Sequence, residues 1–198
     1  MKKTNENAKW LRGMFYISIV SLVKSAMGFL PISFGGTGDW ISRGIMLVMV
    51  VCLLKLTPLN ARYRKAGIFR AGMLACALFT ALLFGSLLLT LAASVFSILS
   101  VYQEYRAHEE VTAEMNPALS RSWGKLFYWQ IAAAILLSLA STVTAVVLSL
   151  SQRVGEVGGI SALVITLFNI PQLVFSVFYL VNLKKTIDIV SLGREEGA

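Results

Sequence analysis

Long apolar runs separated by short polar segments dominate this chain. Five runs stand out, at about residues 14–34, 44–59, 67–101, 126–150 and 160–183. A helix that crosses a bilayer needs roughly 20 apolar residues, and a backbone in lipid must satisfy its own hydrogen bonds, so such runs fold as helices. The pattern predicts an all-α fold: an integral membrane helical bundle of four to five transmembrane helices, forming a single membrane domain over residues 1–198.

The first three runs differ in how well they fit a bilayer. Run 67–101 is longer than a bilayer core and contains no evident turn, which predicts one long helix that tilts or projects into water. Run 44–59 is short and carries Lys55 near its end, where the side chain can reach the headgroups. Run 14–34 places Lys24 near its middle, at a cost of about 2.5–3.5 kcal/mol that offsets its apolar gain. The first run therefore either spans by packing on its neighbours or lies at the interface as an amphipathic helix.

Two polar segments interrupt or follow these runs. Residues 102–125 form the longest one and are predicted to be extramembrane, with a helical extension that breaks at Asn116-Pro117 and a new helix capped by Ser120. Residues 184–198 form a polar tail of mixed charge.

Composition and charge agree with a lipid environment. The chain is 57% hydrophobic and 14% charged, whereas soluble domains carry about 25% charged residues. The net charge is +8, but Lys and Arg lie in short clusters between apolar runs, which is typical of headgroup contact rather than of nucleic-acid binding. Cys52 and Cys76 both lie inside apolar runs and form no disulfide or metal-binding pattern. The predicted partners are the lipid bilayer and a membrane protein or second copy of the chain, with no nucleic acid.

The distribution of Lys and Arg leaves the orientation open. Five spans would place nine of these residues on one side and seven on the other, which is almost no bias. If run 14–34 does not span, the division becomes eleven to five, with both ends of the chain in the cytoplasm. Charge therefore favours four spans, and hydrophobic length favours five.

Three polar residues inside apolar runs are the candidate intramembrane polar site: Lys24, Asn169 and Gln172. Polar groups at that depth face the bundle interior and mark functional sites. The alternative is structural. The two amides flank Pro171 and would satisfy the carbonyl that the proline frees, while Lys24 would extend to the interface.

Glu104 and His108 form a second candidate cluster. On a helix they share a face at i, i+4, where they could bind a divalent metal or pass a proton. However, His108 is the only histidine in the chain and residues 108–112 do not match the HEXXH pattern. The favoured interpretation is a solvated helix face with ion pairs. No catalytic, cofactor-binding or metal-binding residue is assigned, and no cofactor is expected.

Three segments carry a resemblance to known proteins. Leu53–Leu56 leads into Asn60–Ala66, Tyr102–His108 leads to Leu119–Phe127, and Tyr179–Thr186 closes the last run. Together they resemble a loose group of small bacterial multi-spanning membrane proteins of unassigned function. The resemblance implies a bacterial cytoplasmic membrane and brings no substrate or active residue.

Three functions follow as hypotheses. The first is a non-enzymatic membrane protein that acts through a protein or lipid partner, as an accessory, regulatory or immunity-type subunit. The second is a small transporter or channel, as a single copy or a homo-oligomer, whose path is lined by Lys24, Asn169 and Gln172. The third is a membrane-embedded enzyme centred on Glu104 and His108. A polar cavity inside the bundle would favour transport, whereas a solid apolar bundle would exclude transport by a single copy.

Overall fold

The computed structural model describes the backbone of residues 2–27, 36–82, 87–151 and 157–192, and the side chains of 6–27, 37–80, 87–136 and 170–191. Within these ranges there are six α-helices and no strands, so the predicted all-α helical bundle is confirmed. The helices are α1 Lys2–Met27, α2 Gly36–Lys55, α3 Ala61–Leu82, α4 Leu87–Ala113, α5 Pro117–Ser151 and α6 Val157–Leu192.

The six helices form a closed ring. Each helix packs against the next along the chain, α6 packs against α1, and α4 also contacts α6. Consecutive helices are antiparallel, since residue numbers rise along one helix as they fall along its neighbour. In α3 and α4, for example, Arg62 bonds Glu110 while Arg70 bonds Ser100. The ring therefore has two ends, one of which carries the start of α1, the α2–α3 and α4–α5 turns and the end of α6.

The hydrophobic core lies at that end, which we call the core end. All six helices contribute fully or nearly fully buried side chains, among them Leu11, Met14, Leu53, Leu56, Tyr63, Ala66, Tyr105, Ala107, Trp123, Leu183 and Ile187. Asparagine side chains cap two helices there. Asn60 Oδ1 accepts the backbone N–H of Arg62, and Asn116 Oδ1 accepts that of Leu119.

The prediction of one long helix over residues 67–101 is wrong. Helix α3 ends at Leu82 and α4 begins at Leu87 and runs antiparallel to it, while residues 83–86 lie outside the described residues. The two arms are joined by polar contacts, such as the bond from Ser100 Oγ to the carbonyl of Ala66, and by close packing of Gly72 on Phe96. Because both arms are apolar, hydropathy alone gives no sign of where the chain reverses.

The polar segments also differ from expectation. Only residues 114–116 separate α4 from α5, so most of segment 102–125 is helical and contributes Tyr105, Trp123 and other core residues. The helix cap is Asn116 rather than Ser120, because Pro117 can occupy the first helical position without losing a bond. The predicted tail is helical to Leu192, with Thr186, Ile187 and Val190 buried.

Large apolar side chains cover the outside of the ring. Each of the six helices exposes some, including Val20, Leu47, Phe79, Leu88, Leu136 and Phe178. Within the described part of the chain, two helices are long and apolar enough to cross a membrane, at Thr37–Lys55 and Leu87–Ala113. Four to five spanning helices are not confirmed by this, and the number of spans stays a prediction.

Candidate functional site

A cavity of about 260 Å³ lies inside the ring. All six helices line it, and its wall mixes hydroxyl, amide and charged groups with methionine and aromatic side chains. The polar groups come from Ser18, Ser21, Arg70, Ser97, Glu104, Tyr105, Gln130, Gln172, Ser176 and Tyr179. At the level of the cavity, polar groups lie inside the ring and large apolar side chains cover its outside, whereas a soluble bundle has its polar face outside.

The cavity lies directly above the core. In α1 the core residues Leu11 and Met14 precede the cavity residues Ser18 and Ser21, and every other helix keeps the same order relative to the core end. In α5, for example, Trp123 lies in the core and Gln130 lines the cavity. The core therefore closes the cavity on the side of the core end.

An ion pair lies at the base of the cavity. Arg70 Nη2 is 2.8 Å from Glu104 Oε2, and the two side chains are 15% and 3% exposed. The hydroxyl of Tyr179 donates to Glu104 Oε1 at 2.5 Å. Arg70 Nε donates to Ser100 Oγ at 3.2 Å, and Ser100 Oγ donates to the carbonyl of Ala66. Three helices thus hold one carboxylate and one guanidinium together.

Helix geometry brings these two charges to one level. Arg70 lies nine residues after the start of α3, and Glu104 lies nine residues before the end of α4. At 1.5 Å per residue each charge is about 14 Å from its helix terminus at the core end. Since a buried charge without a partner is strongly destabilising, each residue requires the other. The interpretation of Glu104 and His108 as a solvated face is wrong, because both are buried.

Aromatic side chains separate the ion pair from the core end. The Tyr105 hydroxyl donates to Gln130 Oε1 at 2.7 Å, which joins α4 to α5. The Tyr105 ring meets the edges or faces of Trp123 and Tyr179 at centroid distances of 5.4 and 5.8 Å. These contacts fix the floor of the cavity.

His108 lies below this floor, and its environment is that of a core residue. Its Nδ1 is 2.9 Å from the Tyr63 hydroxyl, and its ring stacks on Trp123. Its Nε2 is buried and has no hydrogen-bond partner in the described part of the chain. Among the described residues, no group of three or more His, Cys, Asp or Glu side chains is placed to hold a metal ion.

Of the three residues predicted as an intramembrane polar site, the structure describes the side chains of Lys24 and Gln172, which are not brought together. Gln172 lines the cavity. The side chain of Asn169 lies outside the described residues. Lys24 donates to Ser42 Oγ on α2, near the opposite end of the ring, and does not line the cavity.

Sequence reasoning missed Arg70. The residue belongs to the apolar run 67–101 but was counted among the charges that set topology. A signal was present, since Arg70 follows the basic cluster Arg62–Lys65 by more than a helical turn and so falls within the predicted span. A charge at that depth requires a partner, and Glu104 is the first acidic residue that follows it in the sequence.

A second cavity of about 180 Å³ adjoins the first between α4, α5 and α6. The two share five lining residues, Ser97, Val101, Gln130, Gln172 and Phe175. The remaining lining of the second cavity is apolar, from Ile98, Ile131, Ala133, Ala134 and Pro171. The site thus combines the Arg70–Glu104 ion pair in the first cavity with an apolar second cavity beside it.

No protein-family model, curated protein or solved structure matches this chain.

Proposed function

We propose that this chain is an integral membrane transporter that binds a small polar solute inside its six-helix ring. The observation that carries the proposal is the cavity lined by all six helices around the Arg70–Glu104 ion pair. Paired charges inside a membrane bundle mark substrate and ion pathways. The cavity volume of about 260 Å³ lies below the range of about 300–1,000 Å³ for drug-sized ligands, so the solute is smaller than those.

The outer surface supports a membrane location. Leu87, Leu88, Leu91, Val95 and Ile98 are each more than half exposed on α4 alone. Monomeric soluble proteins rarely expose contiguous apolar patches of more than a few hundred Å², whereas lipid is the natural environment for such a face. We therefore extend the predicted four to five spans to six, one for each helix.

The charges support an orientation for these six spans. Eleven Lys and Arg with described side chains lie toward the core end, and Lys24 and Arg43 lie toward the opposite end. The eleven are Lys9, Arg12, Lys55, Arg62, Arg64, Lys65, Arg106, Arg121, Lys125, Lys184 and Lys185. Cytoplasmic segments are enriched in Lys and Arg, so we place the core end in the cytoplasm. The reversal between α3 and α4 is what brings the basic residues before and after it to the same end of the ring.

Transport fits these features better than the other two hypotheses. A subunit that acts through a partner needs a contact surface on its outside, and it does not need a cavity lined by polar groups. A membrane-embedded enzyme would need Glu104 and His108 in one site, but Glu104 lines the cavity while His108 lies in the core beside Tyr63. Transport by alternating access also needs a gate, and the aromatic floor at Tyr105 and Tyr179 would be the inner one.

Water access to the cavity tests the proposal. In a background of Cys52→Ala and Cys76→Ala, a single cysteine would be placed by Ser97→Cys in the cavity or by Ser94→Cys on the exposed side of the same helix. A charged, membrane-impermeant thiol reagent is expected to label Ser97→Cys and to leave lipid-facing Ser94→Cys unlabelled. Equal labelling of both, or none at Ser97→Cys, would contradict a hydrated cavity.

Solute binding is the second test. A thermal-stability screen of small polar solutes on the purified chain is expected to find ligands that raise the melting temperature. The same solutes should have no effect on Ser97→Phe, whose larger side chain fills the cavity. Binding that persists in Ser97→Phe would place the solute elsewhere.

A further inference from the structure

We infer that the solute is a small organic monocarboxylate, whose carboxylate group takes the place of Glu104 on Arg70 while Glu104 binds a proton. This rests on the proposed function, since it assigns a ligand to the same cavity. The result is uptake of one anion together with one proton, which leaves the net charge of the site unchanged.

The guanidinium of Arg70 has N–H groups that can donate hydrogen bonds to a ligand. A guanidinium carries five N–H groups. The Nε–H is bonded to Ser100, and Nη2 lies 2.8 Å from Glu104 Oε2 as an ion pair. The Nη1 group has no partner among the described residues, and Arg70 lines the cavity. The planar fork of a guanidinium matches the two oxygens of a carboxylate, so Arg70 is the natural anchor for one.

Charge balance requires the proton. With the cavity empty, Arg70 and Glu104 neutralise one another. A bound carboxylate would bring two anions to one cation, at a place where an uncompensated charge costs several kcal/mol. One proton taken up from hydronium in the bulk solution restores neutrality: it forms an O–H bond on Glu104, a water molecule is left behind, and Arg70 pairs with the ligand. No other bond is made or broken.

Glu104 is placed to accept that proton. Its Oε1 is bonded to Tyr179. Its Oε2 is buried and has no hydrogen-bond partner within the described parts of the chain, although Arg70 Nη2 lies 2.8 Å away. A proton on Oε2 would convert this atom into a donor toward the ligand carboxylate. The Tyr179 hydroxyl could keep its bond to Oε1 in both states.

The other groups around Glu104 do not offer a second site for the proton. Arg70 and Tyr63 face it from α3, Tyr105 and His108 from α4, and Tyr179 from α6. The described residues of α5 that face this region, Trp123 and Gln130, do not titrate, and α1 and α2 contribute serine, isoleucine and methionine to the cavity wall. The three tyrosines stay protonated at neutral pH, and His108 lies in the core and does not line the cavity.

The cavity shape favours an anion with a short apolar part. The second cavity begins at Gln130 and Phe175 and continues along Ile131 and Ala134, so a hydrocarbon group can lie there while the carboxylate reaches Arg70. A zwitterion fits less well, because its ammonium group would need Glu104, which is 3% exposed and already bonded to Tyr179. A phosphate dianion would bring more negative charge than one Arg can neutralise.

Calorimetry on the purified full-length chain in lipid nanodiscs tests the inference. The probes are sodium butyrate, its neutral analogue butanamide and the zwitterion alanine. Butyrate is expected to bind at least tenfold more tightly than the other two. Titrations in buffers of different ionisation enthalpy should give uptake of about one proton per butyrate, and the affinity should fall about tenfold per pH unit where Glu104 is ionised.

Variants assign the proton to Glu104. Glu104→Gln is expected to bind butyrate with no proton uptake and little dependence on pH, whereas the exposed Glu110→Gln should behave like the unchanged chain. The charge-neutral pair Arg70→Gln/Glu104→Gln should fold and bind no butyrate, and Arg106→Gln serves as its control for loss of an arginine.

Each contrary result has a separate meaning. Butyrate binding without proton uptake in the unchanged chain overturns the inference even if Glu104→Gln does not fold. Tight binding of alanine or butanamide in place of butyrate also overturns it, but leaves a solute-binding cavity intact. If none of the probes binds and Ser97→Cys cannot be labelled, the proposed function fails together with the inference.

Discussion

The indole of Trp123 lies nearly parallel to the imidazole of His108, with ring centroids 4.3 Å apart and an interplanar angle of 14°. The indole N–H also donates to Thr186 Oγ1 at 3.1 Å. One side chain of α5 is thus fixed to α4 by stacking and to α6 by a hydrogen bond, and it is fully buried. Trp123 therefore joins these three helices beneath the cavity.

Truncation of Trp123 should weaken the whole bundle. We expect Trp123→Ala to lower the free energy of unfolding by about 3–5 kcal/mol, the range for removing a buried aromatic side chain. Trp129, on the same helix, is 68% exposed, and Trp129→Ala should cost much less. Unfolding of the purified chain by sodium dodecyl sulfate in mixed micelles measures both. Equal losses would show that Trp123 is not a core residue.

The bond between Tyr63 and His108 predicts non-additive changes. Tyr63→Phe leaves both ring nitrogens of His108 buried and with no partner among the residues that the structure describes, which should cost about 1–3 kcal/mol. Replacing both groups, in Tyr63→Phe/His108→Phe, removes the buried polar atoms together and should cost less than the two single changes added. The same unfolding measurement applies, with exposed Tyr128→Phe as the control. Additive losses would mean that the two side chains do not interact.

The helical fold was predictable, because each long apolar run requires a hydrogen-bonded helix in lipid. The boundaries of the helices were less predictable than the helical fold itself. Run 67–101 hides a reversal, since α3 and α4 are both apolar and hydropathy measures composition rather than direction. The core contribution of segment 102–125 was also hidden. Its Tyr105 and Trp123 lie among charged residues in the sequence but pack against Tyr179 of α6 in the fold.

The candidate site was predictable only in part. Gln172 was found because an amide in an apolar run needs an inward-facing position. Glu104 was predicted as a candidate, but its i, i+4 spacing to His108 suggested His108 as its partner. Its true partner is Arg70, 34 positions earlier in the chain, and the pairing depends on the reversal between α3 and α4. Spacing along one helix cannot reveal a contact between two helices when the turn that joins them has not been predicted.

Two glycines in helix interiors should respond in opposite ways to a larger side chain. A Cβ atom on Gly67 would meet Leu54 Cδ2 at 3.0 Å and Leu53 Cβ at 3.4 Å, whereas one on Gly44 would meet nothing within 4 Å. Gly67→Leu should separate α2 from α3 and destabilise by about 1–3 kcal/mol. Gly44→Leu should be neutral or stabilising, because glycine costs about 0.5–1 kcal/mol in a helix. Comparing the two melting temperatures in detergent tests the α2–α3 contact, and a Gly67→Leu protein as stable as Gly44→Leu would contradict it.

Six spans with the core end in the cytoplasm predict where engineered cysteines react. In the background of Cys52→Ala and Cys76→Ala, Asp39→Cys lies at the start of α2 and Glu114→Cys lies in the α4–α5 turn, both at exposed positions. In intact cells an impermeant thiol reagent should label Asp39→Cys and leave Glu114→Cys unlabelled. Opening the cells should then expose Glu114→Cys, which serves as the control for reactivity. Labelling of Glu114→Cys in intact cells would reverse the orientation, and labelling of both would contradict an intact span between them.

The Arg70–Glu104 pair should behave as a unit in stability as well as in binding. Arg70→Gln or Glu104→Gln leaves the other charge buried without its partner, so each single change should cost about 3–5 kcal/mol. The double change removes both charges and should cost clearly less than the sum. Arg62 and Glu110 also pair across α3 and α4, but their side chains are 33% and 45% exposed, and their coupling should be about 0.2–1 kcal/mol. Double-mutant cycles on both pairs, measured by the same detergent unfolding, separate a buried ion pair from a surface one. A coupling at Arg70–Glu104 no larger than that at Arg62–Glu110 would mean that water already reaches both charges, and the need for a compensating proton on Glu104 would disappear with it.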